Sequence, residues 1–180
     1  MKTASALASV IAFGKVESSN KTIDGRSLSA CHSGAGFESL CFNTNPSEFY
    51  FNTTSYDADQ VDGYSKTGLV VYNMIAHPLT VSEPLVFSFN PASNLAHPVF
   101  TPGHESQRFA FSDDNLLVVV ENIDDTQNPP NFHDNKVYNR WYACTSYYSG
   151  YTYHTIDWVL GDKEPQNPSC VKVDVRRHDS

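Results

Sequence analysis

The densest set of chemically useful side chains lies near the C-terminal end: Trp141, Tyr142, Tyr147, Tyr148, Tyr151, Tyr153, His154 and Trp158. Tyrosine joins a flat apolar face to a hydroxyl, which suits a sugar ring or a small aromatic ligand. The spacing therefore predicts Tyr147, Tyr148, Tyr151 and Tyr153 at the rim of a binding site, with Arg140 or Arg108 available to pair an anionic group. If the site does chemistry, His154 is its acid–base residue, because imidazole titrates close to neutrality. The competing use of these residues is packing: Trp141 and Trp158 in a core, the tyrosines on a sheet. Asp157 is a poor partner for His154, since the two fall on opposite faces of one strand.

Other chemistries find less support. The seven histidines (His32, His77, His97, His104, His133, His154 and His178) include no H-x-H or H-E-x-x-H pair, so no metal is expected. His97 and His104 flank a Pro-containing stretch beside Glu105 and read as exposed loop histidines. Asp57, Asp59 and Asp62 with Gly63 approach a calcium loop, but the third Asp and the Gly come one place late and Gly68 stands where a Glu belongs. That segment reads as a solvated acidic turn. There is no G-x-S-x-G elbow. Ser33 adjoins His32, yet neighbours in a strand face apart, so Cys31–Gly36 reads as a Gly-bearing turn. No cofactor motif is present.

The elements that must position these residues are strands. No stripe of helical period persists; short apolar and aromatic runs alternate with Pro, Gly, Asn and Asp. Strands are predicted over 48–54, 68–76, 85–90, 108–112, 116–122, 139–146, 152–160 and 171–176. Eight short strands in 180 residues, with ten prolines mostly between them, predict a single-domain all-β antiparallel sandwich, with a jelly roll or barrel as the alternative. Residues 123–135 read as a long exposed loop. Ile156, Trp158 and Leu160 share a face with Thr152 and His154, and that face is the expected core. Val171, Val173 and Val175 alternate with Lys172, Asp174 and Arg176, which marks a half-buried strand.

Several features point to an oxidising compartment. Lys2 precedes an uncharged, mostly small or apolar stretch from Thr3 to Gly14, and Val16 and Ser18 suit a cleavage site. Residues 1–18 are thus expected to be a secretory leader and 19–180 the domain. The four cysteines allow three pairings; nearness in sequence favours Cys31 with Cys41 and Cys144 with Cys170. Asn20 and Asn52 head N-glycosylation triplets. The net charge of −8, from 12 basic and 20 acidic residues, opposes nucleic-acid binding. No apolar run reaches the roughly 20 residues of a membrane helix.

The segment 140–177 carries a W-x-x-C strand (Trp141, Cys144), a second aromatic strand with Trp158, then Pro165, Asn167, Pro168, Ser169 and Cys170, and the alternating Val171, Val173 and Val175. In these motifs, and in His32–Phe37, the chain resembles small secreted fungal proteins of unknown function. The resemblance covers about a third of the sequence. It implies a secreted, β-rich, disulfide-bearing protein associated with the cell wall or surface, and it transfers no catalytic residue. Three readings follow. The first is a non-catalytic wall or surface protein binding a glycan or small aromatic ligand. The second is a small β-sandwich enzyme (dehydratase, isomerase or cyclase) acting on an apolar small molecule of secondary metabolism. The third is an effector acting on a host protein.

Overall fold

The structure, a computed structural model, describes residues 9–11, 14–53, 60–103 and 107–178. It is all-β and antiparallel. The strands are β1 (Ser9–Ile11), β2 (Gly14–Glu17), β3 (Ser27–Gly34), β4 (Phe37–Asn43), β5 (Phe49–Asn52), β6 (Leu69–Ala76), β7 (Leu79–Phe89), β8 (Leu95–Phe100), β9 (Phe109–Phe111), β10 (Leu117–Asp124), β11 (Asn131–Tyr138), β12 (Trp141–Tyr148), β13 (Tyr151–Val159), β14 (Val171–Lys172) and β15 (Asp174–Arg177). One large curled sheet runs in the order β1-β5-β6-β7-β8-β13-β4-β3-β2-β15, with β12 on β13 and β14 on β12. A small sheet, β11-β10-β9, closes over it.

The main core lies between the two sheets. Leu40, Phe100, Trp141, Ile156 and Trp158 of the large sheet meet Phe109, Phe111, Leu117 and Val119 of the small one. Trp141 is fully buried, packs edge-on to Trp158 at 4.9 Å, and donates its indole N–H to the Leu117 carbonyl at 2.9 Å. That bond satisfies the one polar atom of a large apolar side chain and ties the sheets together. The unbroken apolar run Leu116–Val120 follows from burial on both faces: Ala110, Val118 and Val120 pack on Val61, Tyr64 and Val137 behind the small sheet.

The predicted faces hold. Ile156 and Trp158 are in the core, as are Val173 and Val175. Both favoured disulfides form, Cys31–Cys41 and Cys144–Cys170. Two expectations need correction. Residues 123–135 are not one loop: β10 continues to Asp124, and β11 returns beside it, leaving only a short turn. β11 (NFHDNKVY) is polar because it is the outer strand of the small sheet, where charge blunts edge pairing. Strands β2, β3, β4 and β8 were not expected as strands either; β4 and β8 are buried on both faces, so they lack the polar alternation that marks a half-buried strand.

The expected boundary after Ser18 also falls inside the sheet. β2 pairs with β15 through Val16↔Val175 and with β3 through Lys15↔Ser27, and Val16 is 0% exposed. Gly14 approaches Leu28 so closely that an added Cβ would lie 2.3 Å from its Cδ1. The folded domain thus takes in residues that a leader of 1–18 would include.

Candidate functional site

At β13 the large sheet forks. Thr155 pairs with Cys41 of β4, whereas Trp158 and Val159 pair with Ala96 and Leu95 of β8. β8 and β4 also pair with each other, through Ser39↔Val99 and Glu38↔Phe100. Three strands meet there, the regular ladder is interrupted, and the side chains at the junction are polar. Ser39, His97, Thr155 and Asp157 are all buried. By alternation, Thr155 and Asp157 occupy the face of β13 opposite the core residues Ile156 and Trp158.

These residues form one hydrogen-bonded chain. His97 Nδ1 lies 2.7 Å from Asp157 Oδ1, and His97 Nε2 lies 2.9 Å from Ser39 Oγ. The other carboxylate oxygen of Asp157 accepts from Ser146 Oγ at 2.6 Å and Thr155 Oγ1 at 2.7 Å. A buried carboxylate is tolerable only with such partners. A ring N–H at Nδ1, facing Asp157, leaves Nε2 free to accept the Ser39 hydroxyl. Beyond Ser39, its hydroxyl meets that of Ser33, whose Oγ accepts the Ser39 backbone N–H at 3.1 Å.

The β12–β13 hairpin covers this cluster. Its two-residue turn, Ser149-Gly150, has positive φ at both positions (50° and 92°), the geometry of a tight hairpin and one that Gly supplies at no steric cost. Tyr148 lays its ring 4.5 Å from that of His97, and Tyr153 donates its hydroxyl to the His32 carbonyl at 2.7 Å. Beside the hairpin opens a cleft of about 370 Å³. Tyr147 and Tyr148 form one wall; Ser88, Asn90, Ser93 and Asn167 add hydroxyls and amides; His97 and Asp157 lie at its floor. Ser39 does not reach the cleft; it stands on the far side of the His97 ring.

The tyrosines expected at a rim are therefore divided. Tyr147, 76% exposed, and Tyr148 line the cleft, whereas Tyr151 is exposed beyond it and Tyr153 fastens the hairpin to β3. His154 stands exposed outside the cleft, 3.4 Å from Thr145 Oγ1 and against the Phe42 ring. Arg140 belongs to a different groove of about 200 Å³ between the sheets, lined by Phe87, Val119, Trp158 and Leu160. There it is held by Asp125 at 2.6 Å and lies over Tyr138. Asn20 is exposed on a turn that its own side chain braces by accepting the Thr22 N–H. Asn52 ends β5, half-buried, while Thr54 of its triplet lies outside the described residues, as do Asp57, Asp59 and His104. Among the described residues, no group of three His, Cys, Asp or Glu could hold a metal ion.

His97 is not an exposed loop histidine; it is 8% exposed and central to β8. The Ser39–His97–Asp157 chain escaped sequence reasoning because its members lie 58 and 60 residues apart. One signal was available: Asp157 is a charged residue in the middle of an apolar strand, and such a residue needs a buried partner.

A family model described as "Domain of unknown function (DUF7907)" matches residues 12–178. The chain belongs to that family. Its span takes in every described strand from β2 to β15 and leaves out β1. No curated protein and no solved structure matches the chain.

Proposed function

We propose that this DUF7907 protein is an exported, fungal-type cell-wall or surface protein that binds a ligand in the cleft beside the β12–β13 hairpin, without chemistry in the covered form described above. The observation that carries this reading is the pairing of Tyr147 and Tyr148 with the amides and hydroxyls of Asn90, Asn167, Ser88 and Ser93 around one open cleft. Flat apolar faces beside converging donors and acceptors fit the two aspects of a sugar ring. A glycan is thus favoured over a purely apolar aromatic ligand. Two disulfides support an oxidising compartment, and the exposure of Asn20 is compatible with a glycan on its triplet.

The test is an array of neutral wall oligosaccharides (glucan, chitin and mannan fragments), followed by titration calorimetry of any that bind. Tyr147→Ala should weaken binding about three- to tenfold, the range for one lost ring contact. Failure of every oligosaccharide to bind, or binding indifferent to Tyr147→Ala and Tyr148→Ala, overturns the reading. The enzyme reading has one observation in its favour, the Asp157-oriented His97 at the cleft floor. On that reading His97, rather than His154, is the acid–base group, and His97→Gln abolishes turnover while His154→Ala leaves it intact.

A further inference from the structure

We propose that Ser39, His97 and Asp157 form a nucleophilic acyl-transfer site that the β12–β13 hairpin covers in the resting molecule. The inference goes beyond the binding role of the cleft and does not depend on it. Three side chains from three strands are arranged with the atom connectivity that activates a serine: carboxylate to Nδ1 at 2.7 Å, Nε2 to hydroxyl at 2.9 Å. Asp157 is held from its other oxygen by Ser146 and Thr155, so the imidazole is fixed in both tautomer and orientation. A buried Ser39 would need only one hydrogen-bond partner to be satisfied. It has instead a base on one side and a second hydroxyl, Ser33, on the other.

Ser39 is 0% exposed, so reaction requires the cover to move. The cover is small: the two-residue turn, the Tyr148 ring on His97, and the Tyr153 hydroxyl on the His32 carbonyl. Hairpin tips of this kind open on the microsecond-to-millisecond scale. In the uncovered form Ser39 Oγ attacks the carbonyl carbon of an ester, and its proton passes to His97 Nε2. The C–O bond to the leaving alkoxide breaks and the alkoxide takes that proton, leaving acyl-Ser39. Water, deprotonated by the same nitrogen, then releases the acid and restores the serine hydroxyl.

The test is reaction of the full chain with an alkyl fluorophosphonate, in which Ser39 Oγ displaces fluoride from phosphorus, read by peptide mass mapping. We expect an adduct on Ser39. Loss of one ring contact should speed labelling about tenfold in Tyr148→Ala. His97→Gln should abolish it. Tyr153→Phe, which removes one hydroxyl alone, should also speed labelling and serves if Tyr148→Ala does not fold. An adduct on any other residue alone overturns the proposal. So does an unmodified Ser39 in wild type and in a folded covering variant, or a Ser39 adduct whose rate ignores His97→Gln. Absence of oligosaccharide binding would leave it standing.

Discussion

Among single residues, Glu83 is the most exacting. It sits on β7 opposite Tyr72, is fully buried, and has the Glu38 carboxyl as its neighbour. Burial, reinforced by the nearby Glu38 carboxyl, pushes it up to about 8 from an ordinary 4.5. Burial also raises the Tyr72 hydroxyl, with Glu38 and Glu83 adding to the effect, while His32 stands 3.8 Å from Glu38 on the outer side. Between the two values the folded chain keeps a proton that the unfolded chain has released. Stability therefore falls as pH rises through that window, by at most about 1.4 kcal/mol per pH unit, and levels off above it. Glu83→Gln should flatten the decline, measured as urea midpoints from pH 5 to 8; an unchanged slope would assign it elsewhere. Neither this group nor His97 was legible in the sequence, for the same reason. Glu83 lies in a segment, Val81–Pro84, with no apolar run to mark burial, and its partner Glu38 is distant in the chain. The cysteine pairs were legible because their partners lie 10 and 26 residues apart and close in space.

At the scale of elements, the two-residue period was enough for the strands that keep one face wet, and the alternation of Val171, Val173 and Val175 located β15 against the core. It was insufficient where both faces are buried, as in β4 and β8, and those strands hold Ser39 and His97. The site was thus least visible where it was most enclosed. Two consequences can be measured. Cys144–Cys170 ties β12 to the approach to β14 across 26 residues. Replacing both by Ala should cost about 3 kcal/mol and lower Tm by roughly 6–12 °C, a shift readable by calorimetry. Deleting residues 1–18 removes β2 and the fully buried Val16, whose burial alone contributes about 1.5–3 kcal/mol. The shortened chain should melt well below the full one; an unaltered Tm would mean that β2 is dispensable. If the protein is exported, N-terminal sequencing of the mature form should find Gly14–Glu17 retained.

For the molecule as a whole, a net charge of −8 sets which partners can approach. Sulphated or uronic-acid glycans meet repulsion that neutral glycans do not. On the array, neutral oligosaccharides should bind with little dependence on salt, and acidic ones only as salt is raised; strong low-salt binding of a sulphated glycan would contradict the charge argument. The all-β class was readable from composition and punctuation. The curl of the large sheet and the fork at β13 were not, since both arise from pairings between strands far apart in the chain. The pairing of β2 with β15 has a consequence for biogenesis. Val16 meets Val175, and Glu17 grips Arg176 at 2.6 Å, so one of the first strands to be synthesised waits for one of the last. This edge of the sheet therefore cannot form until Asp174–Arg177 have left the ribosome, long after Gly14–Glu17 have done so.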